Sequence, residues 1–285
     1  MTYTRELLED ARDRVSIKLS GNALEFEIVM ERRSGVLVEL STTGGSDSPE
    51  AGIIRDTTLS RGRNGLDLNV PIPNSVVILG RGNSVRSVNV SGGTFVSVGG
   101  GVQFGGGNVQ VNQFGSGRNR VSVGGNALVL EHGIKVTVYL PEYSDVLCTK
   151  GSGLHISGPA GRIETDFSGG DVVFGQAGEL DIRTSGGDVQ GGYVAGRAKV
   201  RTSGGDIEIQ EIRGAVELET SGGNVEVGTA HGDGSMRTSG GNVKLGDFTG
   251  ARMTMRTSGG NIRHPEHPGI EARTSGGRIN GKSAW

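Results

Sequence analysis

Five arginines in the C-terminal half of the chain recur at a steady interval. Each directly precedes a Thr-Ser-Gly-Gly segment, and together Arg183, Arg201, Arg237, Arg256 and Arg273 are named the arginine row. Guanidinium groups bind carboxylates and other anions through paired N–H donors. The arginine row could therefore dock an acidic glycan or the carboxylates of a partner protein. The plainer interpretation is a solvated surface of mixed charge that discourages aggregation.

Three aspartates recur at a second fixed place, directly after the glycine pair. Asp171, Asp188 and Asp206 occupy it in successive repeats, and asparagine takes the same place in the next three. Carboxylates stacked ~4.8 Å apart repel one another unless solvent or a cation lies between them, so these three could bind Ca²⁺. The alternative is a structural role at a turn, because Asp and Asn tolerate left-handed backbone angles and accept hydrogen bonds from nearby amides. The GGxGxDxUx nonapeptide of calcium-binding solenoids is absent from the sequence.

Other groups that could do chemistry are sparse. Cys148 is the single cysteine, and its apolar surroundings favour a buried thiol. His264 and His267 flank Glu266 in a proline-rich loop, but no third histidine lies nearby in sequence to complete a metal site. No repeat departs from the pattern to supply clustered carboxylates, so we expect a non-enzymatic protein without a cofactor. A polysaccharide-processing enzyme on a β-helix is the more distant alternative.

These positions belong to one repeat, which predicts the architecture. The segments FSGGDV, TSGGDV, TSGGDI, TSGGNV, TSGGNV, TSGGNI and TSGGRI follow one another at intervals of 17 to 19 residues. A period this short, with no helical pattern inside it, predicts a solenoid whose coils are made of β-strands. We therefore expect an all-β fold, a β-solenoid (β-helix) of ~18-residue coils with an irregular, β-rich N-terminal cap or attachment section.

Alternation within each strand assigns the repeat positions to the inside or the outside of the solenoid. The arginine row faces outward. The residue after each arginine faces inward, which gives a column made of Phe167, Thr184, Thr202, Thr220, Thr238, Thr257 and Thr274. A second inward column follows the glycine corner and consists of Val189, Ile207, Val225, Val243, Ile262 and Ile279. We expect the threonine hydroxyls to bond to the next hydroxyl or to backbone.

The chain divides into two sections in this interpretation. Residues 1–75 form the N-terminal cap or attachment section, and residues 76–285 form the solenoid, with clean repeats over 165–281. In the first section we expect one or two turns of helix at Glu6 to Arg12 and a surface loop at Thr42 to Gly52. Trp285, the only tryptophan, is expected to fold over the end of the solenoid or to lie in a contact between subunits.

Composition narrows the classes of partner. The chain has 29 basic and 31 acidic residues, so it lacks the basic field that attracts nucleic acid. The charged beginning of the sequence lacks the apolar core of a signal peptide, and no later stretch approaches ~18 uninterrupted apolar residues. We expect no nucleic-acid binding, no membrane insertion, and a protein that is cytoplasmic or part of an assembled particle.

The tandem TSGGDV, TSGGDI and TSGGNV units resemble the bacterial putative-adhesin β-solenoid family of unknown function. The segments Lys135–Pro141 (KVTVYLP) and Lys150–Gly153 (KGSG), which precede the repeats, contribute to the resemblance, which covers residues 134 to 281. It implies a β-helix, often at the cell envelope, with no catalytic residues assigned. Many envelope members carry a signal or transmembrane segment, and this sequence departs from them in that respect.

These observations predict a structural or adhesive β-solenoid that presents a rigid binding surface to a partner protein or a glycan. The alternative is a structural component of a phage or injection particle, such as a tail or virion protein. That alternative predicts a homo-oligomer assembled through the N-terminal section, with the repeats as a projecting rod.

Overall fold

The computed structural model describes most of the chain. It covers residues 2–11, 14–22, 24–72, 76–79, 85–89, 109–114, 118–123, 128–130, 132–280 and 282–283. For the strands between 76 and 130, and for 282–283, only the backbone is described. Trp285 lies outside the described residues, so its predicted contact stays a prediction.

The regular secondary structure of the described residues is almost entirely β-strand, with one helix. The N-terminal section contains β1 (Tyr3–Glu9), β2 (Ser16–Ser20), β3 (Glu25–Glu31), β4 (Val36–Thr42), α1 (Pro49–Asp56), β5 (Thr58–Arg61) and β6 (Leu66–Asn69). Next come β7 (Val76–Leu79), β8 (Val85–Asn89), β9 (Val109–Phe114), β10 (Arg118–Val123) and β11 (Leu128–Leu130). The solenoid follows with β12 (Ile134–Pro141), β13 (Asp145–Lys150), β14 (Gly153–Asp166), β15 (Asp171–Arg183), β16 (Val189–Val194), β17 (Ala198–Arg201), β18 (Ile207–Ile212) and β19 (Val216–Glu219). It ends with β20 (Val225–Ala230), β21 (Gly234–Arg237), β22 (Val243–Phe248), β23 (Met253–Thr257), β24 (Ile262–Arg263), β25 (Ile270–Thr274), β26 (Arg278–Ile279) and β27 (Lys282–Ser283).

The predicted β-solenoid is confirmed, with about seven turns of ~18 residues. In a representative coil, β17 leads through the glycine corner into β18, and both strands pair in parallel with the same strands of the next coil. The inward residues of this coil are buried, namely Ala198, Val200, Thr202, Ile207, Ile209 and Ile212. Their side chains form the core, because neighbouring coils exclude water from the interior of the stack.

Both predicted inward columns are confirmed. Phe167 and the threonines from Thr184 to Thr257 are buried, as are the aliphatic residues from Val189 to Ile262. Thr274 and Ile279, which close the two columns, are half-buried. Exposure rises there because no further coil of the described chain covers this end.

The threonine hydroxyls hold adjacent corners together through backbone groups. Thr220 Oγ1 donates to the carbonyl oxygen of Gly205 in the preceding coil at 2.9 Å. The same oxygen accepts a hydrogen bond from the N–H of Gly223 in its own coil at 3.3 Å. The pattern repeats at Thr184, Thr202, Thr238, Thr257 and Thr274. Of the two expected partners, the backbone is therefore the one that the hydroxyls use.

Two expectations for the N-terminal section are wrong. The predicted helix at Glu6 to Arg12 begins in strand β1, which pairs antiparallel with β4 from Tyr3 to Glu9. Long-range pairing along the whole of β4 overrides the weak helical propensity of this segment. The predicted loop at Thr42 to Gly52 contains the start of α1, whose Ser48 side chain caps the helix by accepting from the Ala51 N–H at 3.2 Å.

The N-terminal strands share a sheet with the solenoid. Strand β2 pairs in parallel with β13, and β3 pairs in parallel with both β12 and β14. Strand β4 pairs antiparallel with β12. Strands β7, β8 and β11 form one small separate sheet, and β9 with β10 forms another. The boundary drawn between residues 75 and 76 stays a prediction.

Candidate functional site

The arginine row occupies one column on the outside of the solenoid. Strand pairing places Arg183 opposite Arg201, Arg237 opposite Arg256, and Arg256 opposite Arg273, with Glu219 between Arg201 and Arg237. All five arginines are exposed. The strands direct them outward because the residue on either side of each arginine faces the core. The arginine row is therefore an exposed column that the backbone holds in register.

Carboxylates pair with Arg201, one of the two N-terminal members of the arginine row. Arg201 lies 2.7 Å from Glu217 and 3.5 Å from Glu219, and Arg197 also lies 2.7 Å from Glu217. The hydrogen bond from Arg197, followed by that from Arg201, lowers the pKa of the Glu217 carboxyl despite its partial burial. Arg183 forms no ion pair among the described residues, but it lies in register with Asp166.

The C-terminal half of the row has no such partners. Within the described residues, Arg237, Arg256 and Arg273 form no hydrogen bond or ion pair through their side chains. Residues 234–237, 253–256 and 270–273 contain these three arginines and one acidic residue, Glu271, which gives a net charge of +2, and Glu219 lies in register with Arg237 on the preceding coil. The matching windows at 180–183, 198–201 and 216–219 carry three basic and three acidic residues, so their charges cancel. The described chain thus has a free cationic segment at one end of the row.

The aspartate and asparagine column is a ladder of hydrogen bonds between coils. The N–H of Asp188 donates to Asp171 Oδ1 at 2.8 Å, and the N–H of Asp206 donates to Asp188 Oδ1 at 2.8 Å. Asn224, Asn242, Asn261 and Arg278 continue the ladder in the same way. The expected acceptance of amide hydrogen bonds is therefore confirmed. The expected left-handed backbone is wrong, because Tyr143 and Asn280 are the non-glycine residues with positive φ in the described chain.

The geometry around the three aspartates does not favour calcium binding. Each of Asp171, Asp188 and Asp206 commits one carboxylate oxygen to an amide of the next coil. In the part of the chain that the structure describes, no group of three or more His, Cys, Asp or Glu side chains could hold a metal ion. Calcium binding at these aspartates stays a prediction.

A shallow groove of about 400 Å³ follows this ladder on the outer surface. One side carries the ladder and the other carries the outward residues two positions later, where Glu226 forms an ion pair with Lys244. Its polar lining consists of Asp206, Asn224, Asn242, Asn261, Glu208, Glu226, Lys244 and Arg263. Acidic and basic groups both line the groove, so its charge does not favour either an anionic or a cationic ligand.

The sequence analysis did not identify one cluster, which forms around His231. His231 Nδ1 lies 2.8 Å from Thr249 Oγ1 in the next coil, and His231 Nε2 lies 3.3 Å from Glu211 Oε1 in the preceding coil. Arg213 pairs with the same glutamate and lies over the Tyr193 ring. Arg213, His231 and Thr249 are spaced 18 residues apart, so alignment of the repeats would have found the column.

The remaining candidates have local roles. Cys148 is buried, as expected, and burial raises the pKa of its thiol to about 12. His264 Nδ1 lies 2.8 Å from the Pro265 carbonyl oxygen, and His267 Nδ1 accepts from the Gly269 N–H at 3.1 Å. The His267 ring meets the Phe248 ring edge-on, with centroids 4.9 Å apart. The two histidines thus contact different local partners, which gives no support for a metal site between them.

Among the described residues, no helix combines the length and the apolar character that crossing a bilayer requires.

No family of known proteins matches the sequence, and no curated protein matches it. Among solved structures, the chain is similar to a putative adhesin from Bacteroides fragilis, with 12% identity, coverage of 98% of this chain and 96% of the other, and a TM-score of 0.43. A putative adhesin from Parabacteroides merdae has 13% identity, coverage of 98% and 95%, and a TM-score of 0.44. A putative lipid binding protein from Parabacteroides distasonis has 13% identity, coverage of 98% and 96%, and a TM-score of 0.47. Likeness at this level assigns no function, and membership of the adhesin-like family stays a prediction.

Proposed function

We propose that this protein is a non-enzymatic binding scaffold, in which a rigid β-solenoid presents the arginine row to an anionic partner. The supporting observation is the register of the arginines, because strand pairing fixes Arg237, Arg256 and Arg273 side by side on the exposed face. A surface held by backbone pairing loses little conformational freedom on binding, apart from the arginine side chains themselves. A partner that supplies carboxylates or other anions would complete the hydrogen bonding of these guanidinium groups.

No observation in the described residues favours the alternative of a phage or injection-particle component, which stays a hypothesis together with its N-terminal oligomer contact.

The test reverses charge in the row. We expect Arg237→Glu with Arg256→Glu to weaken binding to immobilised anionic polymers by about tenfold or more, because two favourable charge contacts become repulsive. The panel should contain polyuronates, sulfated glycans and polyglutamate. The midpoint of thermal unfolding should fall by no more than a few degrees, since exposed ion pairs contribute only about 0–1 kcal/mol.

The matched control is Arg263→Glu with Arg278→Glu, which changes net charge equally at two positions outside the row. Loss of binding equal to that of the row variant would contradict a specific role for the row, and unfolding of the row variant would assign the row to the scaffold. Release of reducing ends or unsaturated products from an acidic polysaccharide would contradict the non-enzymatic assignment.

A further inference from the structure

One outward column of the solenoid changes charge halfway along its length. Its first three residues are acidic or neutral, and its last three are basic or neutral. Strand pairing holds the column in register over about 24 Å of the solenoid axis. This column, named the charge column, consists of Gln190, Glu208, Glu226, Lys244, Arg263 and Asn280.

The charge column is complementary to itself when it is turned end for end. A two-fold axis along the strand direction, between the coils of Glu226 and Lys244, sets each column of one copy against the same column of a second copy. Glu226 then lies opposite Lys244, and Glu208 lies opposite Arg263. In a parallel arrangement each charge would instead face its own counterpart and repel it.

The neighbouring ladder of aspartates and asparagines has the same kind of order. Turned about the same axis, Asp188 lies opposite Arg278, Asp206 lies opposite Asn261, and the two central asparagines face each other. Both columns line the shallow groove on the outer surface. Side-chain ladders between strands are typical of flat sheets, so the two columns can meet their counterparts along their length. Two columns therefore give the same axis, and no like charges meet within either.

The charged side chains of the column are available for such a contact. Among the described residues, Glu208 and Arg263 are exposed and form no hydrogen bond or ion pair through their side chains. Glu226 and Lys244 form an ion pair within the chain. Around the two-fold axis these two residues and their counterparts alternate in sign, so the pair is kept while new pairs form.

Other outward residues neither disturb this match nor share it. Glu211 and Asp247 lie three residues further along the strands than the charge column, about 10 Å away. The arginine row is not complementary to itself, because turning it about its central residue, Glu219, sets Arg201 against Arg237. Charge complementarity of this kind therefore belongs to the face that carries the groove.

We propose that this protein forms an antiparallel homodimer, in which the charge column and the ladder of one copy contact the same two columns of a second copy. A ligand of one sign would be attracted by one half of this face and repelled by the other. A second copy supplies both signs in the required order. The contact does not include the arginine row and does not depend on the proposed function. Because the face is narrow, we expect dimers at about 0.1 mM protein and above, and monomers in more dilute binding tests.

Sedimentation velocity of the full chain at about 0.01–1 mM protein tests this contact. We expect dimers at low ionic strength and monomers at about 0.5 M salt, because salt screens exposed charges. The variant Lys244→Glu with Arg263→Glu makes the charge column wholly acidic, and Glu208→Lys with Glu226→Lys makes it wholly basic. Each variant should weaken self-association at least about tenfold. An equimolar mixture of the two should form dimers again, since their columns then have opposite charge.

The control is the row variant Arg237→Glu with Arg256→Glu, which changes net charge as much as the acidic variant and should associate like the wild type. A wild-type chain that stays monomeric at the highest concentration in low salt would overturn the inference. Dimers that persist in both column variants would place the contact elsewhere and overturn it too, as would a mixture that stays monomeric. None of these outcomes bears on anion binding by the arginine row.

Discussion

At the scale of single residues, the corner threonine satisfies two backbone groups with one buried hydroxyl. Thr220 links the Gly205 carbonyl of one coil to the Gly223 N–H of the next. Alternation in the sequence predicts the inward position of this threonine, since its neighbours on both sides are polar and exposed. The choice of backbone over another hydroxyl as the partner could not be predicted, because it depends on the rise between coils and on the path of the corner.

We predict that Thr220→Val destabilises the protein by about 1–3 kcal/mol, because valine fills the same space but leaves two buried backbone groups without a partner. The free energy of unfolding in urea measures the effect. Ser221→Ala, which removes an exposed hydroxyl from the next position, should change stability by less than about 0.5 kcal/mol. Equal stability of Thr220→Val and the wild type would show that the threonine column does not hold the corners together.

At the scale of elements, the glycine corner lets adjacent coils approach closely. A Cβ atom on Gly223 would overlap the carbonyl oxygen of Gly205, whereas a Cβ on Gly222 would come no nearer than 3.6 Å to any atom beyond its two chain neighbours. The two glycines of each pair therefore have different tasks. The second is required by the stacking distance, and the first is tolerant of a side chain.

This difference gives a prediction with an internal control. We expect Gly223→Ala to destabilise the solenoid by more than about 2 kcal/mol, because the backbone of two coils must separate to admit the methyl group. Gly222→Ala should lie within about 0.5 kcal/mol of the wild type. The two variants differ in position alone, so similar unfolding midpoints would contradict the packing described for the corner.

The elements also show where prediction from sequence stops. The repeat predicts β16 to β26 because every coil carries the same kinds of residue at the same positions, so the assignment of one coil applies to the next. Strands β1 to β4 have no repeat. The local pattern of β1 resembles a helix, and its true state depends on pairing with β4, which lies about 30 residues away and leaves no local signal. The pairing of β2 and β3 with β12 to β14 joins segments more than 100 residues apart, which no local pattern could indicate.

At the scale of the whole molecule, the outer surface changes in charge along the stack while the core stays the same. The sequence predicts that the five arginines share one column, and the strand register confirms it. It does not predict which of them are free, because the ion pairs of Arg201 depend on a diagonal contact between neighbouring coils. The free segment at the C-terminal end of the row is therefore a result of the structure.

The salt dependence of binding tests the arginine row most directly. With polygalacturonate as the probe, we expect the logarithm of the affinity to fall linearly with the logarithm of the salt concentration. The variant Arg237→Gln with Arg256→Gln should reduce that slope by about two, one for each lost charge contact. The control Arg263→Gln with Arg278→Gln, which removes the same charge from outside the row, should leave the slope unchanged. An equal change of slope in both variants, or none in either, would contradict the account.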